Sequence, residues 1–142
     1  MKVTIELDMS HYQQLGPLMP EVRKKGLDKT AQYMIERLQA NSPIDTGYLK
    51  GWFRYKETES MVDIRSPAYY AGWVNDGHPQ QPGRFIPGRW ESGKFRYDPK
   101  ENGGMVLKAS YVRGRKFVEK SVNATKGRVD GFFIQSIREV LK

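Results

Sequence analysis

The stretch Asn41-Ser42-Pro43-Ile44-Asp45-Thr46-Gly47-Tyr48-Leu49-Lys50 stands between a long helical pattern and a strand pattern. Pro43 cannot continue a helix, and it pushes Ser42 toward extended angles. Asp45 and Thr46 can hydrogen-bond neighbouring backbone, and Gly47 takes positive φ without strain. The segment predicts a rigid corner written into the sequence: helix, then S-P-x-D-T-G-x-L, then strand. Pro43, Asp45, Thr46 and Gly47 are its fold-defining residues.

The helix before the corner is amphipathic. Leu27, Ala31, Met34, Ile35 and Leu38 fall at helical spacing, with Met19 and Val22 one turn earlier. Pro20 suits its first turn. Before it, Val3, Ile5 and Leu7 alternate with Lys2, Thr4, Glu6 and Asp8, which predicts a half-buried strand. Ser10, Gly16 and Pro17 interrupt the chain between the two.

After the corner, residues 48–58 are aromatic-rich and read as a strand, with Gly51 marking a bulge or a close backbone approach. Residues 61–65 alternate and read as the next strand. Residues 68–75 (AYYAGWVN) read as a third, started by Ser66-Pro67 and ended by Asp76-Gly77, with Gly77 a further corner. Tyr69, Tyr70 and Trp73 on it read as core and sheet packing. Residues 77–104 hold Pro79, Pro82, Pro87 and Pro99 among several glycines, and read as an extended loop or arm. So long a loop is unusual inside a compact domain. Residues 105–111 read as a returning strand. From Phe117 a helical pattern runs to the end, and Gly127 divides it.

This order predicts an α+β fold. A small, mostly antiparallel sheet packs against the long helix and a C-terminal helix, with a long loop inserted in one domain spanning 1–142. The chain has 142 residues, enough for one core, but hydrophobic residues make up 38% and mean hydropathy is −0.70. The 8 Tyr, 6 Phe and 3 Trp enlarge that lean core. Without cysteine there is no disulfide scaffold, thiolate metal site or cysteine nucleophile. The alternating N-terminus is not a secretory signal, and no apolar run is long enough to span a membrane. A soluble protein made in the cytoplasm is expected.

The net charge is +8 and the pI about 9.7. Such a balance permits contact with nucleic acid or with acidic protein surfaces, and equally serves solubility alone. The arm interleaves Arg84, Arg89 and Lys94 with Phe85, Trp90, Phe95 and Tyr97. Cations among rings suit single-stranded nucleic acid, where bases stack. They also suit a protein interface, where Trp, Tyr and Arg dominate the energetics. The interface is the preferred reading, with Arg84, Phe85, Arg89 and Trp90 as contact residues. A third reading has the rings close a small core of the arm itself.

Few residues invite catalysis. Asp45, Asp76 and His78 would be the centre of a small metal-dependent nuclease, but His11 is the other histidine and no metal motif joins them. Turn capping for Asp76 and a loop position for His78 are the preferred readings. Gly83, Gly88 and Gly93 alternate with cations but match no phosphate-binding motif. The serines lack a nucleophile-elbow context. No enzyme activity, cofactor or metal is expected.

Three blocks resemble the tail-completion (minor tail component, neck) family of long-tailed bacteriophages. They are Ala40-Asn41-Ser42-Pro43-Ile44-Asp45-Thr46-Gly47-Tyr48-Leu49, Tyr70-Ala71-Gly72-Trp73-Val74-Asn75-Asp76-Gly77-His78, and Gly114-Arg115-Lys116-Phe117-Val118. They occur in the family's order, and with the strand and long helix that precede them the resemblance covers nearly the whole chain. Asn75 departs from the family's pattern, where a Glu is common, and the segment 79–111 is longer than in short members. The resemblance implies a structural protein of the virion's head–tail junction, without catalytic activity, made in the host cytoplasm. It also implies a ring-type homo-oligomer, hexameric on the tail, contacting tail-tube, tail-terminator or head-connector proteins, with non-specific DNA contact. Deleting residues 80–102 should then leave a folded monomer unable to assemble. The alternative is a basic nucleic-acid-binding protein.

Overall fold

The computed structural model describes residues 1–8, 16–43, 48–108 and 110–142. Asp45, Thr46 and Gly47, and with them half of the corner, lie outside the described residues, as does His11.

The fold is α+β. Strand β1 (Lys2–Glu6) leads to helix α1 (Met19–Asn41), whose Pro20 sits at the start as its missing N–H permits. Val22, Leu27, Ala31, Met34, Ile35 and Leu38 form the buried stripe of α1. The helix stops at Ser42, whose ψ of 134° is extended. Its N–H and its hydroxyl both donate to the Leu38 carbonyl, closing the last turn before Pro43. A short 3-10 turn (Tyr48–Lys50) then leads into β2 (Phe53–Glu57) and β3 (Met61–Arg65).

These strands form an antiparallel sheet in the order β1-β3-β2. Val3 pairs with Ile64 and Ile5 with Val62, so alternate residues face α1. The bulge lies between Arg54 and Lys56, not at Gly51. Gly51 precedes β2, where an added Cβ would sit 3.1 Å from the Pro67 ring. The extra residue, Tyr55, lies under the Arg65 guanidinium at 3.6 Å.

Two helices close the other side: α3 (Phe117–Lys126) and α4 (Val129–Val140), divided at Gly127. Both pack on α1. Gly26 of α1 leaves room for the Phe133 ring, which a Cβ there would meet at 2.5 Å. Lys29 donates to Glu139 at 3.0 Å, and this hydrogen bond holds the Glu139 carboxyl below the usual carboxylate range. Tyr33 meets Phe132 at 5.5 Å.

Two expectations are corrected. Residues 68–75 do not form a strand. They turn at Ala68, where Ser66 Oγ accepts from the Ala68 N–H, and then form a short helix, α2 (Ala71–Asp76). Ala68, Ala71 and Asn75 are buried at helical spacing, while Tyr69 and Trp73 point outward. Strand propensity in the aromatics lost to the burial of those three small residues. Nor is 77–104 a structureless loop. Strand β4 (Gly77–Pro79) pairs with β8 (Tyr111–Arg113), and β5 (Phe85–Glu91) pairs with both β6 (Lys94–Tyr97) and β7 (Gly104–Val106). The predicted strand over 105–111 is therefore two short strands, β7 and β8.

Gly77 roots this arm. Its φ is +90°, and a Cβ there would lie 2.6 Å from the Val112 carbonyl oxygen. Gly77→Ala should cost about 2–3 kcal/mol, from strained backbone and the forced parting of β4 and β8. A urea melt reads the cost directly. An unchanged midpoint would show that the root of the arm can be reshaped freely.

Candidate functional site

The arm is a ribbon. β4 and β8 form its base, then Gln80 N–H donates to the Ser110 carbonyl, Gly83 N–H to Leu107, and Leu107 N–H to Arg84. Beyond these, β5 and β7 continue the pairing, and β6 folds back on the other edge of β5, in the order β6-β5-β7. β5, β6 and β7 pack on one another and make no substantial contact with α1–α4 or the β1-β3-β2 sheet, while β4 at the base packs on α2.

Register decides what each side of the arm shows. Trp90 stands opposite Phe95, Gly88 opposite Tyr97, and Ile86 opposite Met105. These share one face because strand neighbours alternate. That face is apolar, with Trp90 and Phe95 packed edge-to-face at 5.3 Å. Trp90 is 63% exposed and Tyr97 66%. The opposite face carries Phe85, Arg89, Glu91, Lys94 and Arg96. There Glu91 bridges two guanidiniums, accepting from Arg89 Nε at 2.6 Å and pairing with Arg96 Nε at 2.6 Å, while Arg89 also reaches Glu101 at 3.7 Å.

The four predicted contact residues are therefore not one patch. Trp90 belongs to the apolar face, and Phe85 and Arg89 to the charged one. Arg84 precedes β5, exposed and with no carboxylate partner among the described residues. Gly83 and Gly93 stand at turns and Gly88 lies inside β5, so the three glycines make no common cradle.

A second exposed aromatic set lies on the body, where the sequence predicted packing. Tyr69 is 84% exposed and Trp73 58%. Their rings form a chain, Tyr70–Tyr69 at 5.4 Å, Tyr69–Trp73 at 6.2 Å and Trp73–His78 at 6.1 Å. Spacing of four residues between Tyr69 and Trp73 on a helical turn is the signal that finds them.

Asp76 and His78 stand at the base of the arm. The Asp76 carboxylate accepts from Asn75 Nδ2 at 2.9 Å and lies 3.8 Å from Lys116 Nζ. His78 is on β4 opposite Val112, its ring against Trp73. Among the described residues no group of three His, Asp or Glu side chains could hold a metal ion. No helix among them is long and apolar enough to cross a membrane.

Asn75 is fully buried and ties the end of α2 to the start of α3. Its Oδ1 accepts from the Val118 N–H at 2.8 Å, capping α3, and its Nδ2 donates to Asp76 and to Glu119 at 3.0 Å. Its carbonyl accepts from Lys116 N–H at 3.0 Å, where Lys116 holds φ +52°.

Two curated relatives, both from Bacillus subtilis (strain 168), align with part of the chain. The phage-like element PBSX protein XkdI is 43% identical over 55 residues, which is 37% of this chain and 34% of that protein. The chain is related to a protein of a phage-like element. The uncharacterized protein YqbI is 38% identical over 77 residues, 49% of this chain and 46% of that protein. The chain thus aligns with less than half the length of either relative. No family model and no solved structure matches it.

Proposed function

We propose that this phage-related chain is a structural protein of the head–tail junction, one that completes the tail and lets it join the head by assembling into a ring. It acts without catalysis, in the virion, against further copies of itself and against tail-tube, tail-terminator or head-connector proteins. The observation that carries this reading is the arm: a three-stranded sheet with an apolar face that the body leaves uncovered. A single sheet layer needs a second layer over its apolar face, and an assembly supplies one. The likeness to XkdI and the three motif blocks support the phage setting.

Nucleic-acid binding is the second reading, favoured by the charge of +8. Phosphate contacts would make DNA affinity fall steeply with salt. The pairing of Arg89 and Arg96 with Glu91 lowers the charge the arm can offer to phosphate.

The gene's deletion from the phage tests the first reading. Electron microscopy of the lysate should find DNA-filled heads lying apart from tails, and intact particles would remove the junction role. A cleaner cut than 80–102 follows from the ribbon's pairing. Replacing residues 81–109 by an Asn-Gly turn joins Gln80 to Ser110, which already face each other at 2.8 Å. This variant should keep the helical circular dichroism of the body, melt within about 5 °C of the full chain and fail to complement the deletion. Loss of the helical signal would place the arm in the core instead.

A further inference from the structure

We infer that the apolar face of the arm docks on the Tyr69–Trp73 face of a second copy, making a head-to-tail contact between unlike surfaces. The inference rests on the ring reading above and names its contact. A ring needs two different patches on each chain, because a contact between like patches stops at a dimer. Among the described residues, the most exposed aromatic rings include two sets on separate parts of the fold: Trp90 and Tyr97 on the arm, Tyr69 and Trp73 beside α2.

One copy does not join its own patches, since β5 and β6 make no substantial contact with α2. The chemistry matches. Both patches are ring surfaces with partly buried apolar rims, Ile86 and Phe95 on one side and Tyr70 on the other. The charged face of the arm already balances Arg89 and Arg96 against Glu91 and Glu101, so it can face outward. At about 200 Å² per aromatic side chain, the exposed parts of these four rings contribute roughly 550 Å². That is nearly half of the ~1,200 Å² at which stable interfaces begin, and the rims and neighbouring backbone add to it. Aromatic residues at the centre of such a contact carry most of its energy.

The test is sedimentation velocity of the full chain and two double variants, Trp90→Ser with Tyr97→Ser, and Tyr69→Ser with Trp73→Ser. The full chain should self-associate, and each variant should associate at least ~10-fold more weakly, as loss of hot-spot rings predicts. Mixed in equal amounts, the variants should form a one-to-one dimer and nothing larger, because each supplies the face the other lacks. A full chain that stays a single 16.4 kDa species would overturn the ring reading and the contact together. A full chain and variants that assemble equally well would leave the ring and overturn only this contact. Binding of a single-stranded oligonucleotide to a monomeric full chain, lost in both variants, would assign the rings to base stacking. Because the chain has no cysteine, a second measurement does not depend on how the serine variants fold. Trp90→Cys and Trp73→Cys proteins, mixed and oxidised, should give a disulfide-linked dimer far more efficiently than either alone. Equal linking in all three samples would overturn the contact.

Discussion

Trp52→Ala is expected to lower the melting temperature by about 12 °C, from a loss of about 4 kcal/mol. Trp52 is only 3% exposed, yet it stands immediately before an edge strand. Its ring packs edge-on to Phe117 of α3 at 6.2 Å, and its Nε1–H donates to Ser42 Oγ at 3.2 Å. The same hydroxyl donates to the Leu38 carbonyl. One side chain thus joins the end of α1, the start of β2 and the start of α3. Its removal leaves a cavity in the core cluster beside Phe117, and an unpaired buried hydroxyl lone pair on Ser42. Trp52→Phe keeps most of the packing and should cost about 1–2 kcal/mol, largely for the lost hydrogen bond. Differential scanning calorimetry measures both. A shift under about 4 °C for the alanine variant would mean that Trp52 is not part of the core.

Asn75→Ala should cost about 3 kcal/mol, a large effect for removing one small side chain. The residue makes three hydrogen bonds in a site with no exposure. Its loss leaves the Val118 N–H of α3 buried without an acceptor, and the Glu119 and Asp76 carboxylates without their shared donor. Asn75→Asp keeps the acceptor for Val118 but sets a third carboxylate against the other two, so it should be no better than alanine. The test is the denaturant midpoint of the two variants. If Asn75→Asp matched the native chain, the amide's donor role would be disproved.

How much was legible follows from how local each signal is. The bounds of α1 could be read because a stripe at 3.6-residue spacing runs between Pro20 and Pro43, and both prolines act on their own backbone. That Val3 and Ile5, and Val62 and Ile64, each lie on one face of a strand is prefigured in two alternating segments; that the two strands pair with each other is not. The division of the last helix at Gly127 is likewise a property of neighbouring residues. The segment 68–75 was not legible by propensity, since Tyr, Trp and Val favour strands. Its outcome turned on whether Ala68, Ala71 and Asn75 would be buried, and burial depends on α3 arriving more than forty residues later.

For the candidate site, the order of residues alone showed rings and cations interleaved in the segment 77–104 and a glycine at position 77. The residues also determined the net charge, the absence of thiol chemistry and the helix–corner–strand order that resembles a phage family. That the arm is a paired ribbon follows from contacts between strands distant in the chain. With that came the separation of Trp90 from Arg89, because one strand alternates its side chains and the register with β6 and β7 sets which residues share each face. Tertiary structure likewise decided that Arg89 and Arg96 meet Glu91, that Tyr69 and Trp73 face solvent, and that Asn75 and Trp52 tie distant segments together. Each of these depends on pairing between residues far apart in the chain, and no periodicity or local propensity encodes which partner a strand or a buried polar side chain will find.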